Sequence, residues 1–262
     1  MLEVFRFKSS KRRVQSLIMF SSTGNDRFKK IFIYLKKLEV LKAGMSITLV
    51  VFSIILVFSG CRSGQDKNIT EKIIPSDVSD SSLIFDGKSL EGWEITNFGP
   101  QGPVVVSGGK ITLGMGDGCT GITRTGDFPS INYAITLEAM RVQGNDFFCG
   151  ITFPVDKQFC TLIVGGWGGT VVGLSSINKM DASENETTIL RKFEKERWYR
   201  IRLVVKPDTI KAYIDDEKVV DFLINGKELS IRPEVQLSKP FGIAAWNTTA
   251  ALRNIRLVRI EE

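Results

Sequence analysis

Residues 144–173 read GNDFFCGITFPVDKQFCTLIVGGWGGTVVG. Two runs of strand-forming residues, Phe147 to Phe153 and Phe159 to Val164, flank turn residues around Pro154 to Lys157, which is the pattern of a β-hairpin. If the loop is centred between Pro154 and Val155, antiparallel pairing sets Cys149 opposite Cys160. The second run ends in Gly165-Gly166-Trp167-Gly168-Gly169. Glycines on both sides leave the indole without side-chain neighbours and permit unusual backbone angles or a close approach. Two readings stay open for Trp167. It is either a platform for a sugar ring, since it offers an apolar face and an N–H, or a core residue at a tight bend.

Outward from this hairpin the chain keeps the same grammar of short strands separated by Gly, Asp and Pro. Tyr133, Ile135, Leu137 and Ala139 alternate with Ala134, Thr136, Glu138 and Met140, so the first set faces a core and Glu138 lies on the other face. Tyr199, Ile201, Leu203 and Val205 alternate in the same way. Val104–Val106 and Ile111–Leu113 flank Ser107-Gly108-Gly109-Lys110, a second hairpin. In the last strand Leu252, Ile255, Leu257 and Ile260 break the alternation, which predicts a bulge. Residues 175–188 are polar and read as a long loop. Many short strands and no amphipathic helix indicate an all-β fold, an antiparallel jelly-roll β-sandwich over residues 82–262.

The N-terminal part has a different composition. Residues 1–44 carry 11 Lys+Arg against 3 Asp+Glu, so the rest of the chain balances at 24 against 26. The net charge of +6 therefore belongs to the leader, and the domain shows no basic face for nucleic acid. Met45 to Gly60 is apolar but short of the roughly 20 residues of a membrane span. It suits a secretory signal with Lys36, Lys37 and Lys42 as its positive flank. Val57-Phe58-Ser59-Gly60-Cys61 resembles a bacterial lipobox, which implies a lipid on Cys61 and a place in the cell envelope, in the periplasm or at the outer membrane. An uncleaved signal anchor is the other reading. The hydrophobic leader thus spans residues 1–60, with a start nearer Leu35 expected for a leader of ordinary length. Residues 61–81 form a polar tether.

Cys119, Cys149 and Cys160 remain. A Cys149–Cys160 bridge suits an exported protein, and three small buried hydrophobes are the alternative. With no His and no C-x-x-C pair, no zinc site is expected. A structural calcium would need an Asp-rich loop that the sequence does not show, so no cofactor is assigned.

Three segments, Ser82–Glu94 (SLIFDGKSLEGWE), Glu194–Val205 (EKERWYRIRLVV) with the YIDDEKVV hairpin that follows, and Phe241–Leu257 (FGIAAW…LRNIRL), resemble the 3-keto-disaccharide hydrolase family. The resemblance covers nearly all of residues 82–260 and implies a concanavalin A-like, laminarinase-like sandwich. It also implies cleavage of glycosides oxidised at C3. The keto group acidifies the C2 proton, a carboxylate removes it, a cation steadies the enolate, the C1 group leaves and water adds. Candidate bases are Asp146, Glu138 and Glu186, with Arg124 and Arg141 as candidate cationic helpers. Trp167, Asn185 and Arg141 are the candidate contacts to an oligosaccharide or glycoside. Members of that family carry Asn-Ser-Gly-Ile before an Arg-bearing strand, and then a strand with Glu and Gln. Here those stretches are Phe148-Cys149-Gly150-Ile151 and Phe159–Val164, without a carboxylate. Either the site is rebuilt around Asp146, Trp167 and the Ser183–Thr188 loop, or the chain binds sugar without turning it over.

Overall fold

The computed structural model describes residues 80–261. The leader, Cys61 and the tether up to residue 79 lie outside the described residues, and the last two residues expected in the tether, Asp80 and Ser81, begin the first strand. Among the described residues, fifteen strands form two antiparallel sheets packed face to face. The first sheet has the order β13(Glu217–Leu223), β12(Thr209–Ile214), β11(Trp198–Val205), β6(Tyr133–Gly144), β15(Thr248–Arg259), β4(Lys110–Leu113), β3(Val104–Ser107), with β1(Asp80–Leu83) also paired to β15. The second runs β10(Ile189–Leu190), β9(Val171–Ser175), β8(Gln158–Gly166), β7(Cys149–Val155), β14(Gly242–Trp246), β5(Cys119–Arg124), β2(Trp93–Ile95).

The alternation read from the sequence is what makes the first sheet amphipathic. Ile201 pairs with Leu137 and Leu203 with Ile135, and all four are buried in the main core between the sheets. Each such side chain removes its apolar area from water and contributes about 1.5–3 kcal/mol. The expected bulge in β15 is present. Its register against β6 shifts between Arg253 and Arg256, with Asn254 at φ +55°.

The central hairpin forms, but its register differs from the expected one. Val155 pairs with Gln158, so the turn is Asp156-Lys157, with Asp156 at φ +52°. Asp tolerates that left-handed conformation. Pro154 stays in the strand opposite Phe159, and its carbonyl accepts the Tyr133 hydroxyl at 2.7 Å. Cys149 therefore faces Val164 and Cys160 faces Phe153. The bridge is ruled out by this register, and all three cysteines are free and buried. Burial pushes the Cys160 thiol up to about 12 and the Cys149 thiol upwards too.

The second sheet is buried on both faces along β7 and β9. A second apolar cluster covers its outer side, in which Phe147, Ile163, Val171, Ala182, Val235 and Ala244 take part. Two segments build this cover. One is the 176–188 loop. The other leads to a short 3-10 helix, Pro233–Ser238, entered through Pro233 at its first turn. The two are joined where Ser176 and Ser230 exchange backbone hydrogen bonds of 2.7 and 3.1 Å.

Candidate functional site

Between the cover and the outer face of the second sheet lies a cleft of about 210 Å³, several times the roughly 30 Å³ of a water molecule. Thr161 and Ile163 from β8 and Ser175 from β9 form part of its floor, and Trp246 and Phe147 form an aromatic wall, their rings 6.5 Å apart. Cys119 also lines it. Burial pushes that thiol up to about 12, with the charge of Glu234 adding to the effect. The cysteine is thus a neutral, unreactive part of the wall.

Trp167 stands at the rim. Its residue is 41% exposed and its φ is +47°. A bulky side chain in that backbone region is costly, and such outliers cluster at functional sites. The turn that carries it follows from the flanking glycines. Gly165, Gly168 and Gly169 have φ of +79°, +81° and +105°. Gly169 and Thr170 both donate their N–H to the Gly166 carbonyl at 3.1 Å. This exposure sets aside the reading of Trp167 as a core residue.

Asp146 lies in the same cleft, on the turn between β6 and β7. Its Oδ1 accepts the Phe147 N–H at 2.7 Å, and its own N–H donates to Thr248 Oγ1 at 3.1 Å. The second oxygen, Oδ2, is 3.5 Å from the Gly168 nitrogen, next to Trp167. The carboxylate is oriented by backbone while forming no salt bridge among the described residues.

The third feature is one that sequence reading missed. Arg232 and Glu234 line the cleft. Arg232 donates Nη2 to Glu234 Oε1 at 2.8 Å and Nε to Oε2 at 3.3 Å. Its Nη1 pairs with Asp181, which also accepts the Ser176 hydroxyl at 3.1 Å. The hydrogen bond from Arg232 holds Glu234 below the usual carboxylate range, and the same bond holds the guanidinium above its own. The available signal was weak: a proline flanked by a cation and a carboxylate, Arg232-Pro233-Glu234, in a segment without strand pattern. No group of three or more His, Cys, Asp or Glu among the described residues is arranged to hold a metal.

The remaining sequence candidates fall elsewhere. Glu138 sits on β6 of the first sheet, not the sheet that bears the cleft, and pairs with Arg253 at 2.6 Å. Glu186 forms an ion pair with Lys227 at 2.8 Å in a separate groove beside β13. Arg124 ends β5 with its guanidinium 5.3 Å from the Trp93 ring centre, and burial lowers its pKa. Asn185 is 7% exposed. Its Nδ2 donates to the carbonyls of Leu174, Met180 and Asp181 and its Oδ1 accepts from Thr187, so its polar atoms are engaged within the loop. Arg141 is 5% exposed and does not line the cleft. It donates Nη2 to the carbonyls of Gly165 and Gly169, each at 3.0 Å, and of Asp146 at 3.2 Å. Burial lowers its pKa, against the attraction of Asp146. None of these five residues lines the cleft that holds Asp146 and Trp167.

Comparison with known proteins gives the family. Residues 80–258 match the 3-keto-alpha-glucoside-1,2-lyase-like domain, and the chain belongs to that family. No curated protein matches the sequence. Among solved structures, the carbohydrate-binding module CBM66 from Bacillus subtilis is similar at 16% identity and TM-score 0.43, over 63% of this chain and 94% of that one. Domain 4 of AbnA, a GH43 extracellular arabinanase from Geobacillus stearothermophilus, is similar at 12% identity and TM-score 0.46, over 70% and 93%. Laminarinase from Flavobacterium sp. UMI-01 is similar at 13% identity and TM-score 0.45, over 70% and 99%.

Proposed function

We propose, from membership of the 3-keto-alpha-glucoside-1,2-lyase-like family, that the cleft binds a 3-keto-glycoside and promotes loss of its C1 substituent. The observation that carries this reading is the shared position of Asp146 and Trp167 on one rim. Trp167 offers the ring face against which a sugar stacks. Asp146 takes the C2 proton, the electron pair moves through the enolate, and the C1–O bond breaks. The departing oxygen takes up a proton, and water adding across the C1–C2 double bond completes hydrolysis. Arg232 is the cation lining the cleft. Two of its five N–H donors are not engaged by Glu234 or Asp181, and these are the donors available to an enolate oxygen. Incubation with a 3-keto-disaccharide should release the aglycone sugar at a rate proportional to enzyme. No release over a long incubation would refute catalysis on this substrate.

One observation favours a second reading, sugar binding without turnover. The charge of Arg232 is already compensated by two carboxylates, Glu234 and Asp181, which weakens it as an enolate stabiliser. Saturable binding of a 3-keto-disaccharide without product would select this reading.

We also propose that the chain is exported in a bacterium and held at the envelope by lipid on Cys61. The apolar run Met45–Gly60, whose last residues Ser59-Gly60 directly precede Cys61, supports this. Cells fed labelled palmitate should label the wild-type chain and not Cys61→Ala. Equal labelling of both would rule the anchor out.

A further inference from the structure

The β6–β7 turn carries Asp146 and the β8–β9 turn carries Trp167. Between these two turns lies one buried guanidinium. Arg141 Nη2 reaches the Asp146 carbonyl from the first turn and the Gly165 and Gly169 carbonyls, on either side of Trp167, from the second. The ring of Phe148 lies 5.1 Å from the same guanidinium carbon and that of Phe193 5.9 Å, and the two rings are themselves 5.1 Å apart, so the group packs against an aromatic pair. The glycines of the Trp167 turn are fitted to it. A Cβ on Gly165 would lie 2.4 Å from Arg141 Nη2, and one on Gly169 would lie 3.2 Å from Nη1. The glycine shelf that stands out in the sequence thus admits the arginine as well as allowing the positive φ values.

Burying a guanidinium is costly even when it is well bonded. Here Arg141 Nε is buried without a hydrogen-bond partner, a further cost that native structures rarely carry without a compensating role. The direct polar contact between the two turns is the long approach of Gly168 N to Asp146 Oδ2, at 3.5 Å.

We infer that Arg141 is a positioning residue: it ties the Asp146 turn to the Trp167 turn and so fixes the carboxylate relative to the aromatic platform. The inference rests on the proposed function of that rim. Displacement of a reacting group by about 1 Å costs on the order of a hundredfold in rate. Lysine keeps the charge but presents a point donor in place of a planar fork.

The test compares Arg141→Lys and Arg141→Met with the wild type in two ways. Acrylamide quenching of Trp167 fluorescence, isolated by subtracting the matching Trp167→Phe background, needs no sugar. Steady-state kinetics on a 3-keto-disaccharide gives kcat and KM. Arg141→Met should raise quenching of Trp167 and lower kcat/KM by about a hundredfold, mainly in kcat, and Arg141→Lys should recover part of both. If Arg141→Met does not fold, Arg141→Lys against wild type carries the comparison. A merely structural role predicts a lower Tm with Trp167 quenching, kcat and KM unmoved in the folded variant, and that result overturns the inference. So does a change in quenching without a change in kinetics. If the wild type shows no turnover of the keto-sugar, the proposed reaction falls together with the kinetic half of this inference, while the quenching result still decides whether Arg141 sets the rim.

Discussion

Replacing Asp146 by Asn should lower kcat on a 3-keto-disaccharide by about a hundredfold to ten-thousandfold, the range in which a general base contributes, with KM little changed. The substitution is close to isosteric. The amide oxygen can still accept the Phe147 N–H that Oδ1 accepts at 2.7 Å, and the Asp146 backbone bonds to Thr248 and Arg141 do not involve the side chain. The rim should therefore keep its shape and lose its proton acceptor. Loss of kcat at constant KM is the mark of an interaction made in the transition state alone. The check is kcat and KM beside a thermal melt. Unchanged kcat in a folded Asp146→Asn protein would remove this carboxylate from the reaction and leave Glu234 as the other carboxylate lining the cleft. Glu234 is a poorer base because the hydrogen bond from Arg232 lowers its affinity for a proton.

Trp167→Gly should separate binding from stability. Removing the platform forfeits its apolar contact with a sugar ring, which at the lower end of the roughly 1.5–3 kcal/mol for burying a large apolar side chain is about tenfold in Kd. Stability should move little. A non-glycine residue in the left-handed region costs about 1–2 kcal/mol, and glycine at φ +47° relieves that. The relief offsets the contacts of a ring that is 41% exposed as it stands. Titration calorimetry with a 3-keto-disaccharide and a thermal melt check both halves. Weaker binding at unchanged Tm assigns Trp167 to the ligand. Unchanged binding with a large fall in Tm would make it a structural residue and refute the platform.

The two side chains at the centre of these predictions were legible in the sequence for a local reason. A tryptophan between glycine pairs and an Asp at the mouth of a hairpin announce turns, and turns present side chains at the ends of sheets. The sandwich was legible in the period-two burial of Tyr133–Ala139 and Tyr199–Val205, which decides the core face directly. What escaped depends on long-range pairing. Arg232 and Glu234 reach the cleft because residues around Ser230 bond back to Ser176 at the end of β9, and no local pattern encodes that return. Glu138 was correctly placed off the core, but alternation does not say which of two outer faces holds the cleft. Asn185 and Arg141 look available as polar residues on a list of types, yet backbone carbonyls engage them in the folded chain. The disulfide expectation turned on a shift of two residues in one turn. Pro154 reads as a turn residue, whereas its ring is accommodated within the strand and the turn falls on Asp156-Lys157.

In the proposed reaction Asp146 removes the proton beside the keto group of a sugar seated on Trp167. Hydron exchange at C2 tests it without requiring bond cleavage. A 3-keto-sugar bearing no leaving group at C1 is incubated with the protein in D2O and followed by proton NMR. Wild type should wash out the C2 proton signal well above the uncatalysed rate, and Asp146→Asn should bring exchange back to the background. Equal exchange by the two proteins, or none by wild type with the sugar demonstrably bound, would contradict that role of Asp146.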